Sequence, residues 1–170
     1  MTKPVVNIAD LSMRAVGKGS RFGGSAGRIG GLIGMEQLGA QYLVVPPGKA
    51  AYPRHSHRNN EEMFVILEGA GEYQLGDAIW PVQAGDVIAA PAGGTETAHQ
   101  LRNTSSADLR YLAISSRQDP DIMDYPDSGK FAVSAGVPRG GSLQAASFFY
   151  IGRKDTAVDY WDGEDIGEDS

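Results

Sequence analysis

The sequence predicts an all-β fold, an antiparallel sandwich or barrel, and three observations carry that prediction. Short β-rich runs recur from about Gln37 to Arg117, turn-forming residues separate most of them, and no helix-period pattern competes. The runs are residues 41–45 (QYLVV), 63–67 (MFVIL), 71–75 (GEYQL), 78–82 (AIWPV), 86–90 (DVIAA), 98–103 (AHQLRN) and 109–115 (LRYLAIS). Their β-branched and aromatic side chains suit a pleated, half-buried surface, and strands this short at this spacing close into a sandwich or barrel.

A chain of 170 residues suits one domain with a real core rather than two. Residues 1–36 read as a Gly-rich N-terminal arm, irregular or mobile, with eight glycines from Gly17 to Gly34 interleaved with Arg21 and Arg28 and preceded by Arg14. The arm meets neither the dinucleotide-binding glycine pattern nor a Walker lysine. The stretch DSGK (127–130) fails as a phosphate loop too, with Asp124 where the first glycine belongs and Phe131 where Ser or Thr belongs. Residues 37–117 form the core, and residues 118–170 a C-terminal extension with a late strand at 147–151 and an acidic tail.

That tail carries the charge. Asp159, Asp162, Glu164, Asp165, Glu168 and Asp169 account for the whole net charge of −6, leaving residues 1–158 formally neutral. Without a basic stripe, nucleic acid is not an expected partner. The chain has no cysteine, so disulfides and thiolate metal sites are excluded. No apolar run is long enough to span a bilayer and the start lacks a secretory h-region, so the expectation is a cytoplasmic protein without membrane association.

All three histidines, His55, His57 and His99, fall between Gly48 and Asn103. Side chains two apart on a strand share a face, so His55 and His57 can reach one ion. The polar residues 58–61 read as a turn into the next strand, and a hairpin there would return a carboxylate, Glu61 or Glu62, beside the imidazoles. Period-two parity leaves that choice open, since apolar residues occupy both faces of the strand. Imidazole plus carboxylate suits manganese, iron, nickel, copper or zinc.

Residues 48–69 (GKAAYPRHSHRNNEEMFVILEG) resemble the first motif of the cupin family, and residues 85–103 (GDVIAAPAGGTETAHQLRN) resemble the second, with Gly85, Pro91, Gly93, His99 and Asn103 in order. Two spacers are longer than the family's usual ones: Gly48 to His55 by one residue and Gly93 to His99 by three. The resemblance implies a single cupin barrel, an antiparallel jelly roll with N- and C-terminal extensions, holding one divalent metal ion through His55, His57, Glu62 and His99. The interval to Gly69 is what selects Glu62 over Glu61. The segments YPDSGK (125–130) and DYWDGE (159–164) are similar to those of a cupin subgroup without an assigned reaction, sometimes labelled as sugar-phosphate isomerases.

With every histidine committed to metal and no cysteine, nucleophilic triads are excluded. Acid or base work would fall to Glu61, Tyr42, Tyr73, Tyr111 or metal-bound water. Arg54, Arg102 and Lys130 are the candidates for holding an anionic substrate. The expected function is a metal-dependent isomerase, dioxygenase, decarboxylase or lyase on a small oxygen-rich or anionic metabolite; the alternative is a non-catalytic cupin that binds or senses a small molecule. A homodimer is expected because MFVIL is apolar on both faces and one barrel hides only one of them.

Overall fold

The computed structural model describes residues 2–167. Among them lie thirteen strands, and helical structure is limited to single 3-10 turns. In chain order the strands are β1 (Arg14–Val16), β2 (Gly24–Arg28), β3 (Leu38–Val45), β4 (Ser56–His57), β5 (Glu62–Glu68), β6 (Ala70–Leu75), β7 (Ala78–Gln83), β8 (Val87–Ala90), β9 (His99–Arg102), β10 (Leu109–Ser116), β11 (Asp121–Tyr125), β12 (Lys130–Ala135) and β13 (Phe148–Arg153). Each of the seven β-rich runs between Gln37 and Arg117 coincides with a strand. No helix among the described residues is long and apolar enough to cross a membrane.

The strands form a jelly roll of two layers, and every strand pairing is antiparallel. One layer is the six-stranded sheet β1-β2-β3-β10-β5-β8. The other combines β13-β12-β11-β4 with β7-β6-β9, joined by an antiparallel bridge between His55 and His99. Alternate residues point into the space between the layers. Leu43 and Val45 of β3, Phe64 and Ile66 of β5, and Leu109 and Tyr111 of β10 meet Tyr73 of β6 and Leu101 of β9 in one core. Burying each such side chain contributes about 1.5–3 kcal/mol.

Two residues singled out by spacing have structural work. Gly69 turns β5 into β6 at φ 85°, and a Cβ there would collide with the Asp108 carbonyl, so only glycine fits. Asn103 is fully buried, its amide donating to the Val45 and Ala107 carbonyls at 2.7 Å each while its oxygen accepts from the Ser105 amide at 2.9 Å. It thereby ties the end of β3 to the loop before β10.

The segment before Leu38 supplies β1 and β2, and β2 continues the large sheet through its pairing with β3. The run at 147–151 lies over β13, the outer strand beyond β12. Glu168 and Asp169 of the acidic terminus lie outside the described residues.

The hairpin expected across residues 58–61 does not form. β4 pairs with β11, whereas β5 pairs with β10 and β8 in the opposite layer. The connection crosses the barrel, so the carboxylate reaches the imidazoles from the facing sheet rather than along a shared one.

Candidate metal centre

The seam of the second layer builds the site. His55 and His99 exchange backbone hydrogen bonds, the His55 N–H donating to His99 O at 3.1 Å and the His99 N–H to His55 O at 2.8 Å. Residues paired in this way project side chains to one face. His57, two positions beyond His55, joins them on that face. From the opposite layer, Glu62 opens β5 in the same phase as buried Phe64 and Ile66, and it points inward.

The Nε2 atoms of His55, His57 and His99 lie 3.9, 3.8 and 2.9 Å from Glu62 Oε2. His55, Glu62 and His99 offer ligand atoms that all lie within 4.8 Å of one another. The His57 ring stands alongside, 5.1 Å from that of His55 between centroids.

The opposite nitrogen of each ring is occupied. His55 Nδ1 faces the Pro53 carbonyl at 2.8 Å, His57 Nδ1 the Asp121 carboxylate at 2.6 Å, and His99 Nδ1 the Thr97 carbonyl at 3.3 Å. Because a carbonyl or carboxylate can only accept, these contacts put a proton on Nδ1 of His55 and His57 and turn their Nε2 atoms toward Glu62, whereas His99, whose shorter contact is the 2.9 Å one to the Glu62 carboxylate, donates from Nε2. Three imidazole nitrogens gathered on one buried carboxylate, with a cation able to replace the His99–Glu62 hydrogen bond, are a donor set that fits a divalent metal. The long spacer before His99 folds into the 3-10 turn Thr95–Thr97, which supplies the Thr97 carbonyl.

Electrostatics divides the histidines. Burial pushes the His55 pKa down to about 4 against the pull of Glu62, so that ring is neutral at pH 7. For His57 burial acts in the same direction, but the Asp121 hydrogen bond and the charges of Glu62 and Asp121 outweigh it and raise the pKa. Burial would raise the Glu62 pKa, yet the His99 hydrogen bond and the neighbouring imidazoles hold it below the usual carboxylate value.

Glu61 is exposed, with its backbone amide donating to Ser116 Oγ at 3.0 Å. Tyr42 lies outside the cavity lining, its hydroxyl accepting from Arg110 at 3.4 Å. Tyr73 is buried and donates to the Ala89 carbonyl at 3.0 Å, with its ring 6.3 Å from His99. Tyr111 lines the cavity. Arg54 is held by Asp127 at 2.7 Å, Arg102 is exposed opposite Glu72, and Lys130 lies 5.1 Å over the Tyr125 ring; none of the three lines the cavity.

Sequence reasoning missed Asp121 and Tyr125. β11 pairs Met123 with His57, so Asp121 and Tyr125, two positions to either side, share the histidine face. Asp121 grips His57, and the Tyr125 ring stacks on His55 at 5.9 Å. The alternation in DIMDY was the available signal, and it became meaningful only with the β4–β11 pairing. A cavity of about 820 Å³ opens from this centre between the layers.

Residues 41–115 match the family model described as "Cupin domain". Auxin-binding protein 1 of Arabidopsis thaliana is 33% identical over 135 residues, covering 73% of this chain and 65% of that protein. The oxalate-binding protein of Thermotoga maritima is 33% identical over 72 residues, covering 42% of this chain and 56% of that one. The chain thus spans less than two thirds of either curated relative. A crystal structure described as a sugar phosphate isomerase of the cupin superfamily, from Silicibacter pomeroyi, is similar at TM-score 0.75 and 25% identity, covering 94% of this chain and 98% of that chain.

Proposed function

Because this chain carries a cupin domain and so belongs to the cupin superfamily, we propose that it binds one divalent metal ion through His55, His57, Glu62 and His99 and acts as a metal-dependent enzyme on a small oxygen-rich or anionic metabolite. The observation that carries this reading is the convergence of three Nε2 atoms on Glu62 Oε2 with each Nδ1 already engaged. A sugar phosphate in an isomerase-type reaction is the substrate class we favour, supported by the likeness to the Silicibacter pomeroyi structure.

A bound divalent ion supplies Lewis acidity toward a substrate oxygen. The chain's own residues orient and enclose. Asp121 fixes the His57 ring and its tautomer, and Tyr125 braces His55. Burial and the Glu62 charge raise the pKa of Tyr52 and Tyr73, while burial with Tyr52 and Glu62 raises that of Tyr111. These phenols therefore stay protonated at neutral pH and do not accept a ligand's proton; Tyr52 and Tyr111 line the cavity and can donate to a ligand, whereas the Tyr73 hydroxyl is already given to the Ala89 carbonyl. That lack of a ready base favours the second reading, a non-catalytic cupin that binds or senses a small molecule.

Exposed apolar surface on two strands supports a homodimer as the working assembly, and the compartment we propose for it is the cytoplasm. Met63 and Leu67 are exposed on the outer face of β5, and Phe148, Phe149, Tyr150 and Ile151 form an exposed apolar run on β13. A second copy would cover such surface.

The test is elemental analysis of protein purified without a histidine tag, followed by turnover assays on phosphorylated sugars. About one divalent ion per chain and conversion of such a sugar are expected. A loaded centre with tight ligand binding and no turnover would select the sensing role. A chain that takes up no divalent ion under any loading condition would overturn the metal reading.

A further inference from the structure

The cavity has a second polar end. Arg14, Arg28 and Arg117 line it, supplied by β1, β2 and the residue following β10. Strand register puts the first two there. Arg14 pairs with Ala26, which is buried in the core, and Arg28 lies two residues beyond Ala26 on the same face of β2. Arg117 continues the inward phase of Leu109 and Tyr111 along β10. The Gly141 carbonyl accepts from Nη2 of both Arg28 and Arg117, the latter at 3.1 Å, so one neutral acceptor gathers two guanidiniums.

None of these three arginines has a carboxylate within ion-pair distance among the described residues, although Arg54, Arg58, Arg110 and Arg139 all do. The carboxylates that line the cavity are engaged elsewhere: Glu62 among the histidines, Asp121 on His57, and Asp119 accepting from the Gly136 amide at 2.9 Å. Each guanidinium has five donors, and the contacts to the loop carbonyls use few of them. Burial together with the charges of Arg14 and Arg117 lowers the Arg28 pKa, the signature of cations gathered without an anion.

Scale fits one small molecule. In the order β5-β10-β3-β2, three strand spacings of about 4.8 Å place the Arg28 strand about 14 Å from the Glu62 strand, and both side chains point inward to shorten the gap.

We propose that Arg28 and Arg117, assisted by Arg14, form a phosphate-monoester subsite that holds the anionic end of a ligand whose oxygen-rich end faces the histidines. The orientation of that ligand rests on the metal-site reading above, but the phosphate subsite does not. Three guanidiniums can surround a tetrahedral dianion with forked, charge-assisted hydrogen bonds, and they do so without the backbone loop that the Gly-rich segment lacks.

Calorimetric titration with inorganic phosphate and with glycerol 3-phosphate, on protein as purified and after chelation, tests the subsite. Saturable binding is expected in both states, weakened at least tenfold by combined Arg28→Gln and Arg117→Gln with metal content unchanged. Combined His55→Ala and His57→Ala should lose metal yet keep phosphate, so the two readings can fail separately. If the double arginine variant does not fold, Arg14→Gln, on an exposed side chain, carries the test with an expected loss of a few fold. Absence of saturable phosphate binding, wild-type affinity in the arginine variants, or tighter binding of succinate than of phosphate would each overturn the proposal.

Discussion

The two ends of the cavity are assembled in different ways. The histidine end draws its four inward side chains from residues 55–99, with His55 and His99 locked by reciprocal backbone hydrogen bonds and each imidazole steadied from behind. The arginine end draws on residues 14, 28 and 117, and the Arg28 and Arg117 guanidiniums lean on loop carbonyls rather than on carboxylates. Imidazole nitrogens gathered on a carboxylate at one end suit a cation, and convergent cations at the other call for an anion. A barrel wall thus presents complementary demands to the two ends of one ligand.

The sharpest way to break this contrast is to remove the histidine pair. Combined His55→Ala and His57→Ala is expected to abolish metal retention, read by elemental analysis; full loading in that variant would remove the metal centre from the comparison. Next in size is the carboxylate. Glu62→Gln should weaken metal binding more than Glu61→Gln, because Glu62 faces the imidazoles at 2.9–3.9 Å and Glu61 is exposed. The reverse ranking would mean a one-residue slip of β5, which would exchange the faces of the whole strand.

The same contrast explains what the sequence made legible. His55 and His57 declare themselves because period two is a local property of any strand. The seven barrel strands were legible for the same reason, since each is a short run bounded by turn residues. The choice of Glu62 came from likeness to a family motif, while the structure supplies a physical cause in the shared phase with Phe64 and Ile66. Asp121, Tyr125, Arg14, Arg28 and Arg117 were not legible, because each acquires its place through strand pairing that the sequence does not display: β4 with β11, β1 with β2, β2 with β3, and β3 with β10. The expected hairpin failed for a related reason. Sequence adjacency of β4 and β5 does not reveal that the chain crosses between layers.

A smaller effect is expected from Asp121→Asn. Loss of the carboxylate behind a metal-binding imidazole typically costs about 10–100-fold in affinity, and a competition titration with a chromophoric chelator measures it. Acid provides the companion experiment. His55 titrates near 4 in the folded chain against 6.5 ordinarily, so between those values the unfolded chain binds a proton that the folded chain does not. Stability of the chelated protein should therefore fall as pH drops through that window, by roughly 3 kcal/mol from this group alone. His57 works in the opposite sense: its raised pKa adds stability that is fully present below 6.5 and lost as pH rises through the folded value. Asp121→Asn removes what raises the His57 pKa and leaves burial to lower it, so thermal melts of the chelated variant should show steeper destabilisation below pH 6.5 than wild type.

The smallest effect on the cavity is expected from the C-terminal tail, which makes its deletion the control for both ends. Tyr160 and Trp161 are 83% and 60% exposed and pack edge-to-face on one another at 4.8 Å, rather than on the barrel. Large aromatic groups left in water favour contact with other apolar surface, and the exposed run on β13 of a second copy would provide it. Removing residues 159–170 should leave metal content and phosphate affinity unchanged while shifting sedimentation toward the monomer at low concentration. Unchanged sedimentation and melting would return the tail to the role of a solvated acidic terminus. Altered metal or phosphate binding would instead mean that the tail reaches the cavity, and the two ends would no longer be the whole of the site.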